Sequence, residues 1–306
     1  MTGQNTARSH VAVDWGTSSF RLWLIGDDGS VLAERRSDEG MTSAAGSGFA
    51  VVLDAHLAAI GAGADLPVIV CGMAGARQGW VEAGYLDTPA ALSAIPEAAI
   101  AVPGTARDIR ILPGLAQRDD QAPDVMRGEE TQLLGAMADL GTAAWNVCMP
   151  GTHSKWVRAA DGRVSGFSTF MTGELFDAIS KHTILSHSVA EAGGGGSGAF
   201  AAAVVEAHAD PALFTSRLFG LRAGQLLHGL SAADARARLS GLLIGMEIAG
   251  ARAGSADGGI ALVASGTLAA LYQDAFAALG LDVSTIDADH AVRRGLAAAA
   301  KALWNR

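Results

Sequence analysis

Apolar and polar positions alternate along this chain in one arrangement that occurs twice. Residues 11–34, VAVDWGTSSFRLWLIGDDGSVLAE, and residues 146–170, NVCMPGTHSKWVRAADGRVSGFSTF, share one order of parts. Each runs as a short apolar segment, a Gly-Thr-x-Ser turn, a second segment, a Gly/Asp-rich turn and a third segment. Segments of this length bounded by Gly, Asp and Ser read as strands, so each half is expected to hold a three-stranded meander. The repetition predicts a duplicated fold. Gly16-Thr17-x-Ser19 and Gly151-Thr152-x-Ser154 would then lie at hairpin tips, where backbone N–H groups and hydroxyls suit a polyphosphate. Two such tips facing each other would make a nucleotide clamp.

The rest of the pattern fills in an α/β chain. A helix is expected over residues 49–60 and a buried strand over 68–71, ending in Gly72-Met73-Ala74-Gly75. Residues 88–124 are Pro-rich and weakly patterned, with one strand at 109–112 closed by Pro113-Gly114. Arg127-Gly128-Glu129-Glu130 opens a helix whose Leu133, Leu134, Met137 and Leu140 form one apolar face, with Gly141 as its stop. The expected division is a first lobe of residues 1–125 and a second of 126–306, with the last helix free to pack back on the first lobe. In the second half, Thr172 is placed as an N-cap with Glu174 in the first turn. Leu239, Leu242, Leu243, Met246 and Ala249 mark a buried helix. Residues 260–264 form an apolar strand closed by Ser265-Gly266-Thr267 and followed by a helix from Leu268. Residues 288–304 are Ala-rich and helical by propensity. The tract GGGGSG at 193–198 satisfies G-x-G-x-x-G in form only; no strand precedes it, and poly-glycine reads as a flexible loop.

Composition narrows the classes. A chain of 306 residues, 50% hydrophobic and 17% charged, without an apolar run of bilayer length, reads as a soluble two-domain protein that does not bind a membrane. The polar start MTGQNTARSH has no apolar leader core, so a cytoplasmic location is expected. Cys71 and Cys148 sit in apolar strands without metal or redox spacing and are expected to be reduced core residues. A formal net charge of −9 with no Lys/Arg run argues against a nucleic-acid surface. A small anion needs only one or two arginines, and Arg21, Arg77 and Arg127 lie beside the motifs. A homodimer is left open.

Asp14 is the sharpest candidate. A carboxylate at a strand end, followed at once by a Gly turn and hydroxyls, suits a Mg²⁺–phosphate site; the plainer alternative is an Asp that merely forms the turn. The second copy has Pro150 before Gly151 and no matching acid, so it would only cradle phosphate. Ser265-Gly266-Thr267 after a buried strand would let a flat nucleoside approach the backbone. Glu129 and Glu130 favour a helix first turn for its dipole alone, and their place at the expected domain junction is what suggests catalysis. His153 and Lys155 could reach phosphate, although a residue on the second strand of a meander more often faces solvent. His182 and His187 lack metal spacing, and no Walker A or G-x-S-x-G sequence occurs.

Together these motifs resemble the superfamily of sugar kinases, actin and Hsp70, and within it the chain is similar to the 2-dehydro-3-deoxygalactonokinase family. The similarity runs through VAVDWGTSSFRLWL, CGMAGARQGWVEAGY, DVMRGEETQLLGA, PGTHSKWV, FSTFMTGELF, LSGLLIGMEI and LVASGTLAALY, nearly the whole length. It implies duplicated ribonuclease H-like (actin-like ATPase) domains forming two lobes with a nucleotide cleft. It also implies ATP- and Mg²⁺-dependent phosphorylation of the 6-hydroxyl of 2-dehydro-3-deoxy-D-galactonate, a sugar acid, in galactonate catabolism. Asp14 would organise the metal. Gly16, Thr17, Ser18 and Gly151, Thr152, His153, Ser154, Lys155 would hold phosphates, with Ser265, Gly266 and Thr267 near adenine or ribose. Arg21, Arg77, Arg127 and Thr172-Gly173-Glu174 would contact the sugar acid. The general base would be one of Glu129, Glu130, Glu174 and Asp177; the helix start before the second turn is favoured, as in related sugar kinases, with Glu129 ahead of Glu130, since neighbours on a helix point about 100° apart and only one can face the cleft. A kinase for another sugar or sugar acid, or a protein-binding ATPase, are the alternatives.

Overall fold

Both meanders form as expected. The computed structural model describes residues 8–189, 197–253 and 258–304. It opens with β1 (Arg8–Trp15), β2 (Phe20–Gly26) and β3 (Val31–Ser37), then α1 (Met41–Ser47), α2 (Phe49–Ala59) and β4 (Val68–Gly72). The weakly patterned stretch resolves into short pieces: β5 (Tyr85–Asp87), β6 (Ala90–Ala91), α3 (Ala94–Glu97), β7 (Ile100–Ala101), β8 (Ile109–Ile111), β9 (Gly114–Gln117) and β10 (Asp124–Met126). After α4 (Glu129–Leu140) come β11 (Trp145–Met149), β12 (Ser154–Ala160), β13 (Arg163–Phe170) and α5 (Thr172–His182). Then follow α6 (Ser197–Ala209), α7 (Phe214–His228), α8 (Ala232–Ala253), β14 (Gly259–Val263), α9 (Gly266–Ala278), β15 (Val283–Ile286) and α10 (Ala288–Trp304). Residues 193–196 of the poly-glycine tract lie outside the described residues, so the loop expected there is not described; Ser197 and Gly198 open α6.

The duplication is visible in the strand order. One sheet runs β3-β2-β1-β4-β8-β7, and another contains β13-β12-β11-β14-β15 in the same sense. In both, the first strand pairs antiparallel with the second and parallel with the fourth in that order, and a fifth strand adds in parallel. This is the ribonuclease H-like order, carried twice, as in actin-like ATPases. The parallel strands β4, β11 and β14 are apolar almost throughout because both faces are covered.

Two compact units divide the described residues: those of 1–143, 160–166 and 288–306 form unit 1, and those of 144–159 and 167–287 form unit 2. The partition differs from a cut at residue 125, because α4 belongs with unit 1, as does α10. The reason is a helix crossing at glycines. A Cβ on Gly135 of α4 would stand 1.9 Å from the Ala291 carbonyl oxygen, and one on Gly295 of α10 would stand 1.9 Å from that of Thr131. Backbone meets backbone there, and Leu133, Ala136, Val292 and Leu296 are buried around the crossing.

Candidate active site

In unit 1 the site is assembled at the C-terminal ends of β1 and β4, where open α/β sheets present ligands. Asp14 lies opposite Arg21 of β2 and beside Cys71 of β4 in the strand register. Directly paired residues share a face, so the register itself creates the contacts. Arg21 donates to the Asp14 carboxylate and also to Asp289 of α10, while Arg36 donates to the other Asp289 oxygen at 2.6 Å. Burial works against the Arg21 charge, but the Asp14 and Asp289 carboxylates outweigh it and raise its pKa. The Cys71 thiol lies 3.8 Å from Asp14 Oδ1, and burial first, then the Asp14 and Glu130 charges, push its pKa up. It is a buried, unreactive thiol, as is Cys148.

The first Gly-Thr turn is fixed from three sides. Gly16 N–H donates to the Ser19 carbonyl at 2.8 Å, and the Gly16 and Thr17 carbonyls accept from Met41 and Thr42 of α1. The Trp15 ring, fully buried, packs edge-on against Phe20 with centroids 4.8 Å apart and donates its Nε1–H to the Glu39 carbonyl. Thr17, Ser18 and Ser19 remain exposed at the tip.

Gly72 ends β4 with φ +88, and a Cβ there would stand 2.5 Å from the Trp15 carbonyl oxygen. The nearest atom to a Cβ on Gly128, whose φ is +104, would be Gly72 Cα at 3.5 Å. The start of α4 therefore meets the end of β4 close to Asp14. There the two adjacent glutamates separate. Glu130 is fully buried, accepting from Gly128 N–H at 2.6 Å and from the Thr131 hydroxyl at 2.8 Å. Burial, with the neighbouring Glu129 charge, lifts its pKa to about 7. Glu129 is only half-buried and accepts from Arg127 N–H at 3.1 Å. Glu130 thus takes the amide of Gly128 at the N-cap and Glu129 that of the residue before it, and of the two only Glu129 retains access to solvent.

Arg127 stacks its guanidinium over Tyr85, 4.5 Å from the ring centroid, and donates Nη2–H to the Gly84 carbonyl. Its Nε and Nη1 are buried without a hydrogen-bond partner. Arg77 is mostly exposed and lies 3.5 Å from Glu82.

In unit 2 the second turn is only partly open. Gly151, Thr152 and His153 reach the surface, whereas Ser154 and Lys155 are buried. Ser154 lies 3.0 Å from the Tyr272 hydroxyl, and Lys155 donates to Thr169 at 2.8 Å. Alternation on β12 points these two neighbours to opposite faces, and both are buried because both faces of the strand are covered at this end. The turn abuts the start of α5: Glu174 N–H donates to the Thr152 carbonyl, a Cβ on Gly173 would meet the Gly151 oxygen at 2.5 Å, and His153 pairs with Glu174 at 2.5 Å. The N-cap of α5 is Met171, not Thr172; the Thr172 hydroxyl is taken by buried Glu247 instead.

Beside this turn lies an apolar cavity of about 180 Å³. Phe176 of α5, Leu243 and Ile244 of α8, and Leu268 and Leu271 of α9 line it, with Gly151 and Gly173 at its rim. Ser265-Gly266-Thr267 leads directly into that α9 face. Ser265 donates to Asp287 at 2.7 Å, and Gly266, at φ +60, has open space where a side chain would stand.

A duplicated ribonuclease H-like fold with a Gly-Thr turn at the tip of each meander, one of them beside an acid, defines the class of the actin-like ATPases and sugar kinases. A family model described as 2-keto-3-deoxy-galactonokinase matches residues 14–299, and the chain belongs to that family. A Rhizobium meliloti (strain 1021) protein named "Probable 2-dehydro-3-deoxygalactonokinase DgoK1" is 67% identical over 98% of this chain and 99% of its own. The 2-dehydro-3-deoxygalactonokinase of Escherichia coli (strain K12) is 39% identical over 98% of this chain and 100% of its own. A crystal structure of a Sinorhizobium meliloti protein assigned to the same activity is 66% identical, with a TM-score of 0.94 over 97% of this chain and 100% of that one.

Proposed function

We infer that the protein transfers the γ-phosphoryl group of ATP to the 6-hydroxyl of 2-dehydro-3-deoxy-D-galactonate, a step of galactonate breakdown. The observation that carries the inference is the same Gly-Thr turn at the same place in two sheets of one topology, in a chain of this family. Unit 1 contributes the exposed Gly16-Thr17-Ser18 tip to phosphate. Unit 2 contributes Gly151, Thr152 and His153 to phosphate, the apolar cavity to the adenine ring and the Ser265-Gly266-Thr267 turn to the ribose side.

Asp14 is the carboxylate assigned to Mg²⁺. The donor set suits a metal that arrives with its nucleotide: Mg²⁺ is held by one or two protein carboxylates together with substrate phosphates. When bound it neutralises charge on the transferring phosphoryl group. Arg21 holds the Asp14 carboxylate in place by the cross-strand ion pair. Glu129 accepts the proton of the 6-hydroxyl as the bond from O6 to the γ-phosphorus forms and the bond to the bridging oxygen breaks. Glu130 stays sealed beneath it. Arg127 is the cation assigned to the substrate carboxylate, since its Nε–H and Nη1–H have no acceptor within the protein.

A coupled ADP-release assay over a panel of 2-keto-3-deoxy sugar acids tests the assignment. ADP is expected with the galactonate-derived acid and far less with its C4 epimer. Equal turnover of both would overturn the substrate assignment, and turnover without any sugar acid would overturn the kinase.

A further inference from the structure

Glu247 sits in the middle of α8, 1% exposed, among residues that are otherwise apolar. Its carboxylate collects hydrogen bonds from three separate elements. Trp156 of β12 donates Nε1–H at 2.9 Å, Tyr272 of α9 donates its hydroxyl at 2.7 Å, and Thr172, the first residue of α5, donates its own. Ser154, the first residue of β12, joins through the Tyr272 hydroxyl. Removing a carboxylate from water is expensive, and an apolar residue of similar volume in such a place is often neutral or stabilising. Stability alone is therefore a poor reason for the acid.

What the acid does fix is geometry. Thr172 and Tyr272 line the apolar cavity. Ser154 closes the second Gly-Thr turn, and Thr172 precedes Gly173, which packs on the Gly151 and Thr152 backbone. The Thr172 and Tyr272 arms end on the cavity wall, the Tyr272 arm continues to Ser154 at the second turn, and Trp156 braces the carboxylate from β12; these elements lie far apart in the chain. We propose that Glu247 is a positioning residue for ATP, locking the second Gly-Thr turn and the wall of the adenine cavity into one arrangement without touching the ligand itself. This rests on unit 2 taking the nucleotide.

The test is a split of steady-state constants in the full-length enzyme, with thermal melting as the control for folding. Glu247→Gln keeps the shape and lets the Thr172 and Tyr272 hydroxyls turn round as acceptors, but it loses the charge that holds three donors at once. It is expected to raise KM for ATP about tenfold, leaving KM for the sugar acid and kcat within about twofold. Trp156→Phe removes one donor at a position outside the cavity lining, and is expected to raise KM for ATP about threefold with the same selectivity. A lowered melting temperature with an unchanged KM for ATP in both variants would overturn the proposal and leave Glu247 a folding residue. So would an equal loss in both KM values and kcat. Leu271→Trp, which fills the cavity, separates the two levels. If it leaves KM for ATP untouched, the placement of nucleotide in unit 2 falls. If it raises KM for ATP while Glu247→Gln and Trp156→Phe do not, only the role of Glu247 falls.

Discussion

Glu130→Gln separates two neighbouring acids that the helix start places in different worlds. Burial lifts the Glu130 pKa from 4.5 to about 7, a difference of about 2.5 pH units worth about 3 kcal/mol in all at about 1.36 kcal/mol each. The sign follows from proton counting. Between pH 4.5 and 7 the folded protein holds the Glu130 proton and the unfolded chain has released it, so folding stability declines as pH rises through that window and then levels off. The amide cannot ionise, yet it can accept from Gly128 N–H and donate to the Thr131 hydroxyl. The variant is therefore expected to lose less stability than the parent from pH 4.5 to 7.5, its melting temperature gaining on the parent by roughly 5 °C over that range. Scanning calorimetry of both proteins in matched buffers at several pH values reads this directly. Turnover of the variant at pH 8 should stay within a few fold of the parent, since the buried side chain cannot reach substrate. A melting difference that is flat with pH, or an inactive variant that melts normally, would refute the reasoning.

The remaining expectations concern the site and its frame. Glu129→Gln should lower kcat by about 10² or more, from the lower end upward of what a positioned base contributes, while KM for ATP changes little; steady-state kinetics against both substrates checks this. Asp14→Asn should fold, because Arg21 keeps Asp289, yet lose on the order of 10²-fold or more in kcat; near-normal turnover at saturating Mg²⁺ would remove the metal role. Arg127→Ala should raise KM for the sugar acid more than KM for ATP, with lactate dehydrogenase-coupled assays as the measurement. Gly135→Ala should destabilise the fold by about 2 kcal/mol or more despite the better helix propensity of alanine, because the new methyl would meet the Ala291 carbonyl; unfolding in denaturant decides it.

Much of the fold was legible because turn chemistry and strand period agree in it. The repeated Gly-Thr-x-Ser turn located both meanders, and the apolar run at 260–264 became β14. Within residues 88–124 only the strand at 109–112 was legible, as β8; the other strands there are two to four residues long and show no period. The place of α4 could not be read from the sequence either, as it depends on Gly135 meeting Gly295 some 160 residues away, and isolated glycines in helices look alike. At the site, Asp14, the Gly-Thr tips and the α4 start stood out, but which glutamate faces outward is set by which side of α4 packs inward, the side that buries Glu130 and Leu133, not by spacing. Ser154 and Lys155 look alike in the second Gly-Thr motif; alternation along β12 puts Ser154 on the face of buried Trp156, but the burial of Lys155 depends on what covers the other face, which the sequence does not show. Glu247 left a usable sign: it lies four residues after Leu243, on the apolar side of a helix whose buried face was already marked. A charge there asks for buried partners, and its donors come from three other elements.

The most direct test of the central claim is ³¹P and ¹³C NMR of the product formed from ATP and 2-dehydro-3-deoxy-D-galactonate by the purified enzyme. The account predicts one phosphate monoester, with phosphorus coupled to C6 and one ADP formed per ester. A phosphate on any other carbon, or ADP accumulating at the same rate with no sugar acid present, would contradict it.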